Sequence, residues 1–458
     1  MASATTAPVT LDAAALGVFR GTVRGQVILP AEPEYEQARH VYNGAVDRHP
    51  AVIARVADVG DVITALRFGR EHGLRIAVRG AGHHGAGFGT VDGGLVIDLG
   101  HLKGIRVDPH ARTARVEPGC TLADLDHATH AFGLAVPTGI NGTTGIAGLT
   151  LGGGIGNLSR RFGLTIDNLL EADVVLASGD LVTASAESNP ELFCAIRGGG
   201  GNFGIVTSFL FRLHPVSTVF AGPTFYELDQ AADVLRWYRD FIGTAPEELN
   251  GWFAFITVPP VDLFPEDLHL RKMAAVLWCY SGPADGAERV LAPIRSFGPP
   301  ALDGVQAMPF PAIQSAFDAL YPAGMQWHWR ADFVETISDE AIAEHVRYAA
   351  QLPSLHSTMH LYPIDGAPGR VGRNETAFSY REARWAQVIV GVDPDPANSE
   401  RLADWTTRYW RALHPHSLGG AYVNMYMEEG QDRVRKSYRD NYDRLARAKA
   451  RYDPDNVF

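Results

Sequence analysis

The chain has 458 residues, 46% of them hydrophobic and 20% charged, with a formal net charge of −12. This length exceeds one compact core and predicts two or three packed modules of ordinary globular composition. The acidic balance, with no basic run, excludes the clustered Lys and Arg that a nucleic-acid partner requires. Cys120, Cys194 and Cys279 are odd in number and have no CxxC spacing. Neither a disulfide framework nor a metal centre is therefore expected.

The N-terminus, MASATTAPVTLDAAALGVFRG, has no basic region followed by an apolar run, so no secretory signal is read there. Nor is there an uninterrupted apolar stretch of the about 18 residues that a membrane span needs. The expectation is a cytoplasmic protein without a membrane partner.

From residue 51 to 215, short β-branched runs bounded by Gly, Asp and Pro predict strands at 74–80, 94–100, 172–179 and 204–215. Between them 61–73 and 121–133 predict helices, the second with Thr121 as N-cap and Gly133 as its stop. The middle third mixes strand-like segments (PTFYEL, GWFAFITV, MAAVLWCYSG) with amphipathic helices at 229–243 and 338–352. That pattern predicts an antiparallel sheet with helices on one face. The expected modules are 1–215, with a core over 46–215, then 216–417, then a terminal segment 418–458. HPHSLGG (414–420) reads as the linker into that segment, whose charged end reads as one helix closed by a DPDN turn.

The chemical signal lies in glycine. VRGAGHHGAGFGTVDGGLVIDL (78–99) follows a strand, surrounds His83 and His84 with glycines, and re-enters a strand. TGINGTTGIAGLTLGGGIGNLSRRFGLTIDN (138–168) and RGGGGNFGIVTSF (197–209) add two more clusters. Glycine lets backbone N–H groups close around an anion such as a pyrophosphate. None of these segments is the dinucleotide fingerprint, in which an acid follows GxGxxG by about 20 residues. Three clusters together point to a large phosphate-bearing cofactor.

RGAGH (79–83) followed by DGGLVIDL resembles the histidine loop of the FAD-binding domain of vanillyl-alcohol-oxidase (PCMH) type flavoproteins. Residues 145–216 are similar to the second half of that domain. AYVNMYMEEG and the final YRDNYDRLARAKARYDPDNVF resemble the terminal segment of the berberine-bridge-like branch. The resemblance implies an α+β fold, with a two-part PCMH-type FAD-binding domain and a substrate domain whose antiparallel sheet is covered by helices.

It implies FAD joined by one covalent bond to His83. The position from which some members add a second link, through cysteine, is here Gly145. The implied cofactor-binding residues are Arg79, Gly80, Ala81, Gly82, His83 and His84 in the first loop. Thr144, Gly145, Gly148, Leu149, Gly152, Gly156 and Asn157 follow in the second, with Val206, Tyr422 and Asn424. Candidate catalytic residues are His360, Tyr362, Tyr380, Tyr422 and Asn424. In the family's YxNY motif the last tyrosine is here Met425, which removes a familiar base, and Tyr426 would face the other way on a strand. Trp327, His328 and Trp329 read as packing residues.

The implied activity is oxidation of an alcohol, a phenol or a secondary-metabolite intermediate, with dioxygen reduced to hydrogen peroxide. Thr143, Thr144 and Gly145 stand where dioxygen would reach the cofactor. Alternatives are an oxidase of amines or hydroxylated N-heterocycles, an oxidative cyclase, and a redox-inactive flavin-binding protein.

Overall fold

The computed structural model describes residues 11–458. Residues 1–10, with which the first expected module begins, lie outside the described residues.

The first sheet contains β1 (Gln26–Ile28), β2 (Val52–Arg55), β3 (Ile76–Arg79) and β4 (Leu95–Asp98) in the order β1-β2-β4-β3. β4 runs parallel to both β2 and β3. All four residues of β4 are buried, because helix Val59–Glu71 covers one face and Tyr35 and Ala38 cover the other. The second sheet contains β5 (Ile105–Asp108) and β6 (Thr113–Val116). After the short β7 (Leu134–Ala135), it continues with β8 (Leu169–Val175), β9 (Leu181–Ser185) and β10 (Ile205–Arg212), in the order β5-β6-β10-β8-β9. Thr121 caps helix Leu122–His130 in a capping box, as its sequence predicts, and Gly133 takes φ +67° beyond the helix end. The predicted strand 172–179 is displaced. The ladder covers 169–175, and Leu176 N–H bonds the Asp180 carbonyl to turn the chain into β9.

β11 (His214–Pro215) pairs with β7, and the chain then enters a large antiparallel sheet. Its strands are β12 (Thr218–Glu227), β13 (Leu249–Thr257), β14 (Lys272–Tyr280), β15 (Leu302–Asp303), β16 (Gln306–Pro309), β17 (Gln326–Val334), β18 (Thr358–Pro363) and β19 (Trp385–Asp393). The order is β15-β12-β14-β13-β18-β19-β17, with β16 also on β12. Alternation with period two divides its side chains between two cores. Phe253, Phe255, Trp278, Met359 and Leu361 join the core under helices Ala231–Ile242, Asp339–Ala349 and Ser399–Leu413. Trp252, Ala254, Leu277 and Tyr362 point the other way, onto Ile155, Leu158, Leu164 and Ile166 of the second glycine segment. One face of the sheet is thus structural, and the other is pressed against the glycine loops.

Two expectations need correction. HPHSLGG is not a free linker: Leu418 N–H bonds the Phe333 carbonyl and Phe333 N–H bonds the Gly420 carbonyl, at 2.8 and 3.0 Å. It runs along the edge strand β17 and satisfies backbone groups that would otherwise stay open. The terminal stretch is not one helix either. Gln431–Tyr438 and Asn441–Tyr452 are separated at Arg439, which has φ +45°. The Arg439 guanidinium lies 3.6 Å from the centre of the Tyr380 ring and pairs with Glu382, so tertiary contacts break a pattern that local propensity would continue. The DPDN turn closes the chain through Asn456 N–H and the Asp453 carbonyl. No helix among the described residues is long and apolar enough to cross a membrane.

Candidate active site

β3 ends at Arg79 and delivers the histidine loop. Arg79 itself turns away from it: its guanidinium bonds Asp98 at 2.8 Å and the Ala38 carbonyl at 2.7 Å, all buried. It therefore anchors the base of the loop, and the expectation that it contacts a cofactor is not supported by its position. Beyond it, the backbone N–H groups of Gly80, Ala81, Gly82 and His83 find no acceptor among the described residues. Such a run of open donors suits an anion.

The second glycine segment faces this loop. Gly145 is the N-cap of helix Ile146–Gly152, and Thr144 seats the turn before it by accepting from Leu122 N–H at 2.9 Å. A Cβ on Gly145 would lie 2.8 Å from the Ala81 Cβ, so the two loops touch only because this position has no side chain. A cysteine here would displace the histidine loop. Gly148 is exposed on the same helix, and a Cβ there would meet nothing. Open N–H groups and open space at a helix N-terminus fit a phosphate-bearing ligand on backbone grounds alone.

His83 is half-buried and stacks on Tyr42, with ring centroids 3.8 Å apart and planes at 18°. Its Nε2 lies 3.2 Å from Thr143 Oγ1, while Nδ1 has no hydrogen-bond partner among the described residues. Burial pushes its pKa down to about 4, against a smaller opposing pull from the Thr143 backbone, so the ring is neutral at pH 7. His84 points elsewhere, stacking on Phe88, with its Nδ1 accepting from Ala86 N–H at 3.2 Å. Burial lowers it to about 4 as well.

The terminal segment closes the other side. Tyr422 Oη accepts from Gly154 N–H at 2.8 Å, and Asn424 Nδ2 donates to the Leu149 carbonyl at 2.9 Å and to Tyr422 Oη at 2.8 Å. A Cβ on Gly152 would fall 1.9 Å from Asn424 Oδ1, so the first glycine of the triple-glycine turn leaves the room that Asn424 occupies. Burial pushes the Tyr422 phenol up to about 12. Residues Val423–Met425 form a 3-10 turn rather than the expected strand. Tyr426 nevertheless points away, its hydroxyl reaching the Arg433 carbonyl at 3.2 Å.

On the large sheet, Thr358, His360 and Tyr362 share one face of β18. His360 Nδ1 lies 2.5 Å from Tyr362 Oη, and Nε2 bonds Thr358 Oγ1. Burial lowers the His360 pKa to about 3 and raises that of Tyr362, which is raised further by Tyr321 and Tyr422. Both are neutral at pH 7. Trp252 covers them at 4.8 Å from His360 and 5.5 Å from Tyr362. Tyr42 links this belt to His83, packing on Trp327 at 5.5 Å and donating to the Tyr321 carbonyl at 2.5 Å.

Besides Arg79, four expected site residues are placed elsewhere or already occupied. Tyr380 stacks on Phe333, is covered by Arg439 and donates to the Lys436 carbonyl at 2.7 Å, which leaves no free hydroxyl for catalysis. Asn157 is buried, donating to Gln314 and accepting from the Trp252 indole. Val206 is a core residue of β10. Gly156 is committed to Ser159 and Asn250. Trp327 and Trp329 pack, as expected; His328 bonds Ser399 at 3.3 Å beside a 380 Å³ cavity lined by Asn43, Gly85 and Trp329.

Sequence reasoning missed Tyr42, Asn43, Asn141, Trp252 and Tyr321; of these only Asn141 sits in a glycine segment. Asn43 stitches the histidine loop to β17, bonding the Gly85 carbonyl and both backbone groups of Trp327. Tyr42 and Asn43 are both buried in the segment that leads to β2, and no local motif marks them.

Residues 50–185 match the family described as "FAD binding domain", and residues 421–458 the one described as "Berberine and berberine like". An uncharacterized FAD-linked oxidoreductase of Bacillus subtilis is 30% identical over 95% of both chains. An FAD-linked oxidoreductase of Dictyostelium discoideum is 31% identical over 96% of this chain and 94% of its own. Among solved structures, 6-hydroxy-D-nicotine oxidase of Arthrobacter nicotinovorans superposes with TM-score 0.84 at 27% identity, over 95% of this chain and 96% of that one. The two glycine loops, the returning terminal segment and these full-length relatives agree: the chain belongs to the berberine-bridge-like FAD-linked oxidoreductases.

Proposed function

We propose that this chain oxidises a small uncharged organic molecule, an alcohol, a phenol or a secondary-metabolite intermediate, at FAD held through His83, with dioxygen as the final acceptor. Residues 216–417 act as the substrate-binding module, 1–215 and 418–458 as the parts that hold FAD. FAD, when bound, supplies the hydride acceptor and passes its electrons to dioxygen as hydrogen peroxide. The observation that carries this reading is the His360–Tyr362 pair at 2.5 Å, on the sheet face pressed against the glycine loops. Trp252 and the Tyr42–Trp327–Tyr321 belt give an apolar aromatic substrate a matching surface. The pair can orient a substrate hydroxyl through a hydrogen bond to Tyr362 Oη, with both groups neutral at pH 7. His83 is favoured over His84 for attachment because its Nδ1 lone pair is free, whereas that of His84 accepts from Ala86.

A second reading, an amine or hydroxylated N-heterocycle oxidase, is favoured by Met425 and by the neutrality of His360 and Tyr362. A neutral amine loses hydride without a strong base. (R)-6-hydroxynicotine oxidase of Paenarthrobacter nicotinovorans is 29% identical over 95% of this chain. Anaerobic mixing with aryl alcohols, phenols and cyclic amines, read as loss of the flavin's visible absorbance, tests both readings. Bleaching by alcohols or phenols with peroxide formed on readmitting air supports the first. Bleaching by amines alone supports the second. If no member of the three classes bleaches the flavin, a redox-inactive flavin-binding protein is the reading that remains.

A further inference from the structure

The turn Asn141-Gly142-Thr143-Thr144 presents one hydroxyl to His83, and its hydrogen bonds dictate where the imidazole proton sits. Asn141 Oδ1 accepts from Thr143 N–H at 3.0 Å. A backbone N–H can only donate, so the atom facing it is the amide oxygen and not the nitrogen. The same oxygen receives the Thr143 hydroxyl at 2.7 Å. Thr143 has a single hydroxyl proton, and it is committed to Asn141. What Thr143 Oγ1 offers His83 Nε2, 3.2 Å away, is therefore a lone pair. Nε2 carries the hydrogen, and Nδ1 carries the lone pair.

The turn is held from the other side of the site. Asp318, of the turn Asp318–Leu320 before β17, accepts from Gly142 N–H at 2.7 Å, and a Cβ on Gly142 would fall 2.5 Å from its Oδ2. The Tyr42 ring fixes the face of the imidazole. Position, plane and proton of His83 are thus each set by a different residue.

We propose that Asn141 and Thr143 are positioning residues for covalent cofactor attachment: they hold His83 as the Nε2–H tautomer, so that Nδ1 forms the bond to the 8α carbon of FAD. This rests on the reading of His83 as the attachment residue. In the step, the Nδ1 lone pair forms the N–C bond and one 8α C–H bond breaks. The two electrons, with the methyl proton and the Nε2 proton, reduce the flavin. Dioxygen is the oxidant that restores it and leaves as hydrogen peroxide. His84 cannot substitute, because its Nδ1 lone pair is already engaged by Ala86 N–H.

The test compares the wild type with Thr143→Val, Thr143→Ser, Asn141→Leu and Asn141→Asp. The readouts are total bound flavin in the native holoenzyme, the fraction retained after denaturation and filtration, and the growth of that fraction with added FAD in air. Thr143→Val and Asn141→Leu are expected to bind FAD yet to form the link about ten-fold more slowly, the scale of one hydrogen bond. Thr143→Ser and Asn141→Asp, which keep the hydroxyl and the acceptor, restore the wild-type rate. NMR of the isolated flavin peptide places the link on Nδ1. Linking at the wild-type rate in Thr143→Val, or a link on Nε2, overturns the proposal. A wild type that releases all its flavin on denaturation overturns instead the attachment reading on which it rests.

Discussion

His83 and His84 are adjacent, both neutral and made of the same atoms, yet only His83 has an Nδ1 without a hydrogen-bond partner among the described residues. The difference is a matter of partners. His83→Ala is therefore expected to abolish the covalent flavin fraction, with yellow colour passing the filter after denaturation, whereas His84→Ala leaves it in place. Two buried histidines also carry a pH signature. Burial lowers His345, bonded to Tyr409 Oη at 2.7 Å, and His360 to about 3, against about 6.5 in an unfolded chain. Between those values the unfolded chain binds more protons, so stability falls as pH drops below about 6.5. The melting temperature is expected to decline from pH 6.5 to pH 4, on the order of several degrees. His345→Gln should flatten that decline; an unchanged slope would exclude His345 as a contributor.

At the level of elements, the predicted strands 74–80, 94–100 and 204–215 and the predicted helices 61–73 and 121–133 each found a counterpart in the structure, because apolar periodicity and capping residues such as Thr121 are local signals. Two exceptions near the C-terminal end share a cause. The terminal helix breaks at Arg439 for the sake of Tyr380 and Glu382, and HPHSLGG becomes an edge cover for β17. Both depend on residues distant in sequence. Arg160, on the short helix Ser159–Phe162, shows the energetic weight of such contacts. Its guanidinium is 2% exposed, bonds Asp365 at 2.8 Å, and also reaches the Ile242 and Leu249 carbonyls of the large-sheet body. Arg160→Ala removes the donor to the Asp365 carboxylate and to the Ile242, Ala245, Pro246 and Leu249 carbonyls, and is expected to destabilise the fold by about 3 kcal/mol. A lower denaturant midpoint at unchanged slope would show it.

Across the whole molecule, the terminal segment ties the architecture together. Arg433 pairs with the fully buried Asp332 of β17, Arg444 with Glu191 at 2.7 Å, and Arg70 with Asp455 at 2.8 Å. The first bond ties the segment to the large sheet and the other two tie it to the glycine-bearing body, so Tyr422 and Asn424 are held from both sides. Arg433→Ala strands the Asp332 carboxylate beside His414 alone, a cost of about 3–5 kcal/mol. Limited proteolysis is expected to cut near 418–430 in that variant and not in the wild type. The amino-acid sequence by itself determined the α+β class, the FAD-binding loops, His83 as the attachment candidate and the loss of a tyrosine at Met425. Those properties reside in contiguous motifs, in which glycine spacing and backbone chemistry are local. Only the tertiary structure decided that Arg79, Asn157 and Tyr380 are already engaged, that His360 pairs with Tyr362, and that Asn141 and Thr143 govern the His83 proton. Those facts depend on which polar atoms meet in the folded chain, at separations from 2 residues for His360–Tyr362 to 157 for Asn157–Gln314, and each buried group can spend its hydrogen bond only once.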